Sequence, residues 1–243
     1  MKREILFSCH HISNIMIISH KYKFIFVKTK KTAGTSIEVF LSQCCGENDI
    51  LTPINPHVEP HLARNYKGIW NPLPELIERR GGKIRSTVRK IRKKKKFYNH
   101  IPAWLIRNRI PKRIWNDYYK FCVERNPWDK TLSHYDMIND RAGGGLTLDQ
   151  YFKAGDFCLN FPLYTDLKGG LIVDKVIKYE SLVAQLNQVF GMLGIPFNGT
   201  LGARAKSDHR KDRKPYQQVI TSEQRAIIEK VFANEIATHG YAY

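Results

Sequence analysis

The residues best suited to holding an anion are the run Lys31-Thr32-Ala33-Gly34-Thr35-Ser36. Before it stands a short aromatic and β-branched stretch, Phe24 to Val27, of the kind that packs inside a sheet. After it, Ile37, Phe40, Leu41 and Cys44 share one helical face. Strand, polar turn and helix start in that order bring backbone N–H groups together at the positive end of a helix, where phosphate oxygens bind. Lys31 would add a full charge, and Gly34 would let the backbone approach closely. A Walker A loop places its lysine after two glycines and directly before Ser or Thr. Here the lysine precedes the single glycine, so a P-loop nucleotide-dependent kinase, testable by magnesium-dependent ATP binding, fits this loop less well.

A second stretch with chemical content is YYKFCVERNPWDKTLSHY, from Tyr118 to Tyr135. Tyr118 to Val123 reads as another buried strand. Asn126 is suited to a helix N-cap and Pro127 to the first helical position. Arg125 therefore sits at a strand end and Ser133 about two turns into the next helix. A guanidinium grips phosphate oxygens as a fork, and a hydroxyl on the neighbouring helix can close the other side.

The order Lys-Thr-Ala-Gly-Thr-Ser after a strand resembles the 5′-phosphosulfate loop of sulfotransferases that use 3′-phosphoadenosine 5′-phosphosulfate, PAPS. Arg125 and Ser133 fall where those enzymes hold the 3′-phosphate. The resemblance runs from Phe24 to the end, through NHIPAWLIRN, GLIVDKVIKYESL, SDHRKDRKPY and the closing HGYAY. It is to a family with bacterial glycan-modifying members, related to the heparan sulfate 2-O-sulfotransferases. It implies a P-loop-like sulfotransferase fold and PAPS as co-substrate, with adenosine 3′,5′-bisphosphate as product and no metal required. The acceptor it implies is a hydroxyl, with a carbohydrate the leading expectation. In that reading Lys31 is catalytic, and Lys31, Thr32, Ala33, Gly34, Thr35, Ser36, Arg125 and Ser133 bind the nucleotide. Lys30 stands where the usual loop has proline, so it is open whether Lys30 also meets phosphate.

An acceptor hydroxyl needs a proton acceptor. His100, in FYNHIPAWL, resembles the histidine-bearing segment of the 2-O-sulfotransferases, and an imidazole is poised near neutral pH. His57 and His61, after the second expected strand, are the alternatives. Glu38, one turn into the first helix, is expected to face solvent or pair with a lysine. In the polar loop from Lys206 to Tyr216, Arg210 is a nucleotide-binding candidate and His209 a second residue of interest, although a merely solvated loop accounts for both.

The elements that must position these residues alternate. Asp49 to Ile54 is a candidate strand, and an irregular Pro- and Asn-rich stretch leads to a short helix before Glu78. Ile84, Val88 and Ile91 recur at helical spacing. Helices are expected near Pro102 and Pro111, after Asn126, and between 147 and 170. Leu171 to Tyr179 reads as a strand, and Leu182 to Leu193 as an amphipathic helix that Gly194 ends. A last helix has a capping box, Thr221 with Gln224, and Gly240 as its C-terminal cap. Strands alternating with helices predict an α/β fold: a single domain, 1–243, with a mostly parallel sheet flanked by helices and its ligand at the carboxyl ends of the strands. Residues 1–20 contain one possible edge strand, Ile5 to Phe7, and no expected function.

Composition narrows the partners. Forty Lys plus Arg stand against 22 Asp plus Glu, a net charge of +18. Eleven basic residues and no acid lie between Arg79 and Lys96, leaving only +7 elsewhere. That basic insertion could meet an acidic polymer, a membrane surface or nucleic acid, or simply be solvated; an acidic glycan acceptor would account for the same charge. The five cysteines lack CxxC spacing and read as reduced thiols. The longest N-terminal apolar run, Ile15 to Ile18, is too short for a signal core or a span, so the expected location is the cytoplasm.

Overall fold

The computed structural model describes residues 16–79, 83–202 and 214–243. Five strands form one sheet: β1 (Ile17–Ser19), β2 (Phe24–Phe26), β3 (Ile50–Leu51), β4 (Tyr119–Glu124) and β5 (Lys175–Lys178), in the spatial order β3-β1-β2-β4-β5. The helices are α1 (Gly34–Cys44), α2 (Leu73–Glu78), α3 (Ile84–Arg92), α4 (Ala103–Arg109), α5 (Lys112–Asp117) and α6 (Pro127–Arg141). They continue with α7 (Leu148–Ala154), α8 (Phe161–Tyr164), α9 (Leu182–Leu193), α10 (Ser222–Val231) and α11 (Ala233–His239).

The sheet is mixed rather than mostly parallel. β2, β4 and β5 run parallel, with Phe26 opposite Phe121 and Cys122 opposite Val176. β1 pairs antiparallel with both β2 and β3. The physical reason is the connection: residues 20–23 join β1 to β2, far too few for the crossover that parallel pairing needs. β1 itself was unforeseen: within residues 1–20 the possible edge strand was placed at Ile5 to Phe7, not at Ile17–Ser19.

Alternation along the strands puts a core on each face. Ile18, Ile25, Val27 and Cys122 pack with Trp104, Leu105 and Ile106 of α4 and Trp115 of α5. Ile17, Phe24, Phe26, Phe121, Val123 and Ile177 pack with Ile37 and Leu41 of α1 and Leu186, Val189 and Phe190 of α9. A satellite cluster joins Trp128 and Leu132 of α6 to Tyr151 and Phe152 of α7 and to Ile228 of α10. The expected last helix is two: Phe232, fully buried, interrupts it between α10 and α11, and Gly240 caps the second piece in the left-handed conformation. The strand expected at Leu171 to Tyr179 is shortened to β5. The possible strand Ile5 to Phe7 lies outside the described residues. Among the described residues no helix is long and apolar enough to cross a membrane.

Candidate functional site

Because β2 and β4 are parallel neighbours, their carboxyl ends lie side by side, and the two sequence stretches singled out above leave the sheet at the same edge. The ladder continues past β2: Val27 N–H donates to Phe121 O at 2.9 Å, and the Thr29 hydroxyl donates to Val123 O. Lys31 and Ala33 then take positive φ, 61° and 57°, which turns the chain back into α1. The two corners touch, for Arg125 Nη1 donates to the carbonyl of Lys31 at 3.2 Å.

The α1 N-terminus is open. Ala33 is its N-cap, no side chain caps it, and its first turn holds no acid. The amides of Gly34, Thr35 and Ser36 are first-turn donors that the helix itself cannot satisfy. Beneath them lies Lys28, whose ammonium donates to Thr35 Oγ1 at 3.1 Å and to Glu38 Oε2 at 2.8 Å. Glu38 is fully buried in this pair and does not face solvent. The aliphatic stem of Lys28 crosses Gly34 so closely that a Cβ there would sit 2.8 Å from both Cγ and Cε. Gly34 is thus required by Lys28, a reason the sequence alone did not suggest. Thr32 is buried, and its hydroxyl bonds Thr29, which leaves it only its backbone to offer a ligand.

Lys31 is half-buried, and burial, aided by Arg125 and Arg141 and opposed by Cys158 and Asp136, lowers its pKa to about 8. Arg125 lies over the Tyr179 ring at 4.3 Å, and its Nε and Nη2 meet Asp129 at 2.7 and 2.6 Å. With Nη1 also bonded to Lys31 O, two of its five N–H groups remain for another acceptor. Asn126 caps α6 through Trp128 and Asp129 N–H, as its sequence signature predicts. Ser133 is half-buried on α6, and its hydroxyl bonds no described residue. Next to it, His134 bonds Tyr151 through Nδ1, and burial plus Lys31 and Lys30 push its pKa down to about 3.

His100 also meets this loop, with Nδ1 2.9 Å from the carbonyl of Lys28. A carbonyl can only accept, so Nδ1 carries the proton and Nε2 keeps its lone pair. Burial, with Lys28 and Lys30 nearby, drops the pKa of His100 to about 3 and keeps the ring neutral. His61 is fully buried beside Thr52 O at 2.9 Å, and His57 bonds His61 O at 2.8 Å; both are tied into the loop after β3. Arg210 and His209 lie outside the described residues.

Sequence reasoning missed the scaffold beneath this edge. Asn160 is fully buried and holds both backbone groups of Lys30, accepting its N–H at 2.9 Å and donating to its carbonyl at 3.0 Å. Glu124, also fully buried, accepts from Lys130 at 2.7 Å, Asn160 at 3.2 Å, Tyr164 at 3.0 Å and the backbone of Arg125 at 2.9 Å. One carboxylate therefore fixes the loop, the start of α6 and α8 to the end of β4. The only sequence signal was the charge of Glu124 at the end of an apolar strand.

No known family profile matches this chain. A protein from Archaeoglobus fulgidus, described as uncharacterized, is 34% identical over 119 residues, which is 46% of this chain and 98% of the archaeal protein. The crystal structure of a sulfotransferase from Alicyclobacillus acidocaldarius aligns over 90% of this chain and 96% of its own, at 17% identity and a TM-score of 0.41.

Proposed function

The chain belongs to the same family as that archaeal protein, and we propose that it transfers the sulfuryl group of PAPS to a hydroxyl of an acceptor, a carbohydrate being the leading class. The observation that carries the reading is the meeting of two strand-to-helix corners, one bearing Lys31 and the other Arg125, at 3.2 Å. Phosphates at opposite ends of one adenine nucleotide need two such cationic corners side by side, and this edge brings a helix N-terminus with Lys31 next to Arg125.

In this reading the amides of Gly34, Thr35 and Ser36 hold the 5′-phosphate, and Lys31 neutralises charge that grows on it as the S–O bond breaks. The two remaining N–H groups of Arg125 and the hydroxyl of Ser133 hold the 3′-phosphate. The acceptor oxygen forms the new S–O bond in line with the departing one, and its proton passes to Nε2 of His100. Burial makes His100 a weak base, and the negative charge of the nucleotide offsets Lys28 and Lys30, which otherwise lower it further. Catalysis of this kind is positioning and charge stabilisation, so a rigid edge pinned by Glu124 and Asn160 serves it.

The test is release of adenosine 3′,5′-bisphosphate from PAPS in the presence of a panel of glycans. Turnover that disappears in Lys31→Ala and Arg125→Ala supports the proposal. Absence of turnover, together with failure to bind the bisphosphate at all, would refute it.

A further inference from the structure

The basic segment folds in an inverted way. The helical spacing of Ile84, Val88 and Ile91 gives α3 an apolar stripe, the side a surface helix ordinarily turns to the body. Instead α3 turns Thr87 and Lys90 inward, Lys90 donating to the Tyr98 hydroxyl at 2.9 Å, while Ile84 and Val88 stay 50% and 41% exposed. α2 does the same. It buries Glu75, paired with Arg109 at 2.8 Å, and leaves Leu73 and Ile77 60% and 75% exposed. Arg109 lies 5.5 Å from the Tyr98 ring that Lys90 also covers, so both helices are anchored at one place on the body. Ile69, 68% exposed, adjoins Gly68, whose N–H bonds Lys94 O just past α3.

Five of the thirteen large apolar side chains exposed among the described residues therefore fall between 69 and 88, beside the most basic part of the chain. Scattered apolar residues need no explanation, but two successive helices that hide polar groups and present aliphatic pairs do. Around Ile84 and Val88 the exposed neighbours are Arg85, Arg89, Arg92 and Lys93.

We propose that α2 and α3 dock the protein onto an anionic lipid surface, with Leu73, Ile77, Ile84 and Val88 entering the acyl boundary and the surrounding Arg and Lys meeting headgroup phosphates. Aliphatic side chains ringed by cations are what an interfacial helix presents to a bilayer. Nucleic acid would take the cations but gives the aliphatic pairs nothing to enter, and the face offers no exposed aromatic platform on either helix. Charge disfavours the nearer occupants. A second copy of the chain carries +18, and the segments 1–15 and 203–213 are themselves net basic.

The experiment is co-sedimentation of the full chain with vesicles of equal parts phosphatidylglycerol and phosphatidylcholine, with pure phosphatidylcholine vesicles and a DNA duplex as comparison arms. The protein should pellet with the anionic vesicles only, and a bound fraction should survive about 0.5 M salt, where purely electrostatic attraction is screened out. The double variant Ile84→Ser, Val88→Ser keeps every charge and should bind these vesicles about tenfold more weakly or worse, with DNA binding unchanged. Complete release by salt would overturn the proposal even if the variant did not fold. So would a folded variant that binds as the wild type does, or wild-type protein that binds the duplex and not the vesicles.

Discussion

Replacing Lys31 with methionine should make the protein more stable while removing its anion site. Burial brings the pKa of Lys31 from 10.5 to about 8, so at neutral pH the folded state holds a proton it binds more weakly than the unfolded chain does. That difference corresponds to about 3 kcal/mol, and because the side chain is half-buried, solvent screening reduces it to about 1–2 kcal/mol. The sign follows from proton linkage: the folded state binds fewer protons between about pH 8 and 10.5, so wild-type stability attributable to this group rises across that window and is lost below it. Lys31→Met should therefore raise the melting temperature at pH 7 by about 2–8 °C for a chain of this size. The gap between variant and wild type should close as pH rises through that window. Differential scanning calorimetry of both proteins from neutral to alkaline pH reads this directly. A variant that melts at or below the wild-type temperature at pH 7 would refute the reasoning.

Other consequences are equally direct. Gly34→Ala puts a methyl 2.8 Å from the stem of Lys28 and should displace it from buried Glu38, costing about 3 kcal/mol in urea unfolding; a cost near zero would mean that the loop simply yields. His100→Ala should lower turnover about 100-fold or more with bisphosphate affinity retained, and full activity would assign the proton to another group. Acid should destabilise the fold early, because His100 and His134 stay neutral down to about pH 3 while their unfolded counterparts protonate below about 6.5. Stability should drop by about 1–3 kcal/mol per pH unit below 6, less steeply in His134→Gln, and a flat melting profile between pH 7 and 5 would contradict it.

Both corners of the candidate site were legible in the sequence because their signals are local. A strand reads from adjacent apolar residues, and Asn126-Pro127 announces a helix within two positions. What joins the corners was not legible. The grip of Asn160 on Lys30 spans 130 positions, and the bonds of Glu124 to Lys130 and Tyr164 depend on which elements meet in space. The crowding at Gly34 was hidden for the same reason, since its neighbour, Lys28, lies across a turn. Periodicity fared in between: it placed α3 correctly, but spacing shows that a helix has an apolar face and not what that face meets. β1 escaped because three residues carry too little pattern to distinguish a strand from a loop, and with it went the antiparallel half of the sheet.

The central claim is that one nucleotide with phosphates at both ends bridges the Lys31 and Arg125 corners. Titration calorimetry of the full chain with adenosine 3′,5′-bisphosphate and with adenosine 5′-monophosphate separates the two contacts. The account predicts clear preference for the bisphosphate, loss of that preference in Arg125→Ala and Ser133→Ala, and weaker binding of both nucleotides in Lys31→Met. Equal affinity of the wild type for the two nucleotides, or binding of neither, would contradict it.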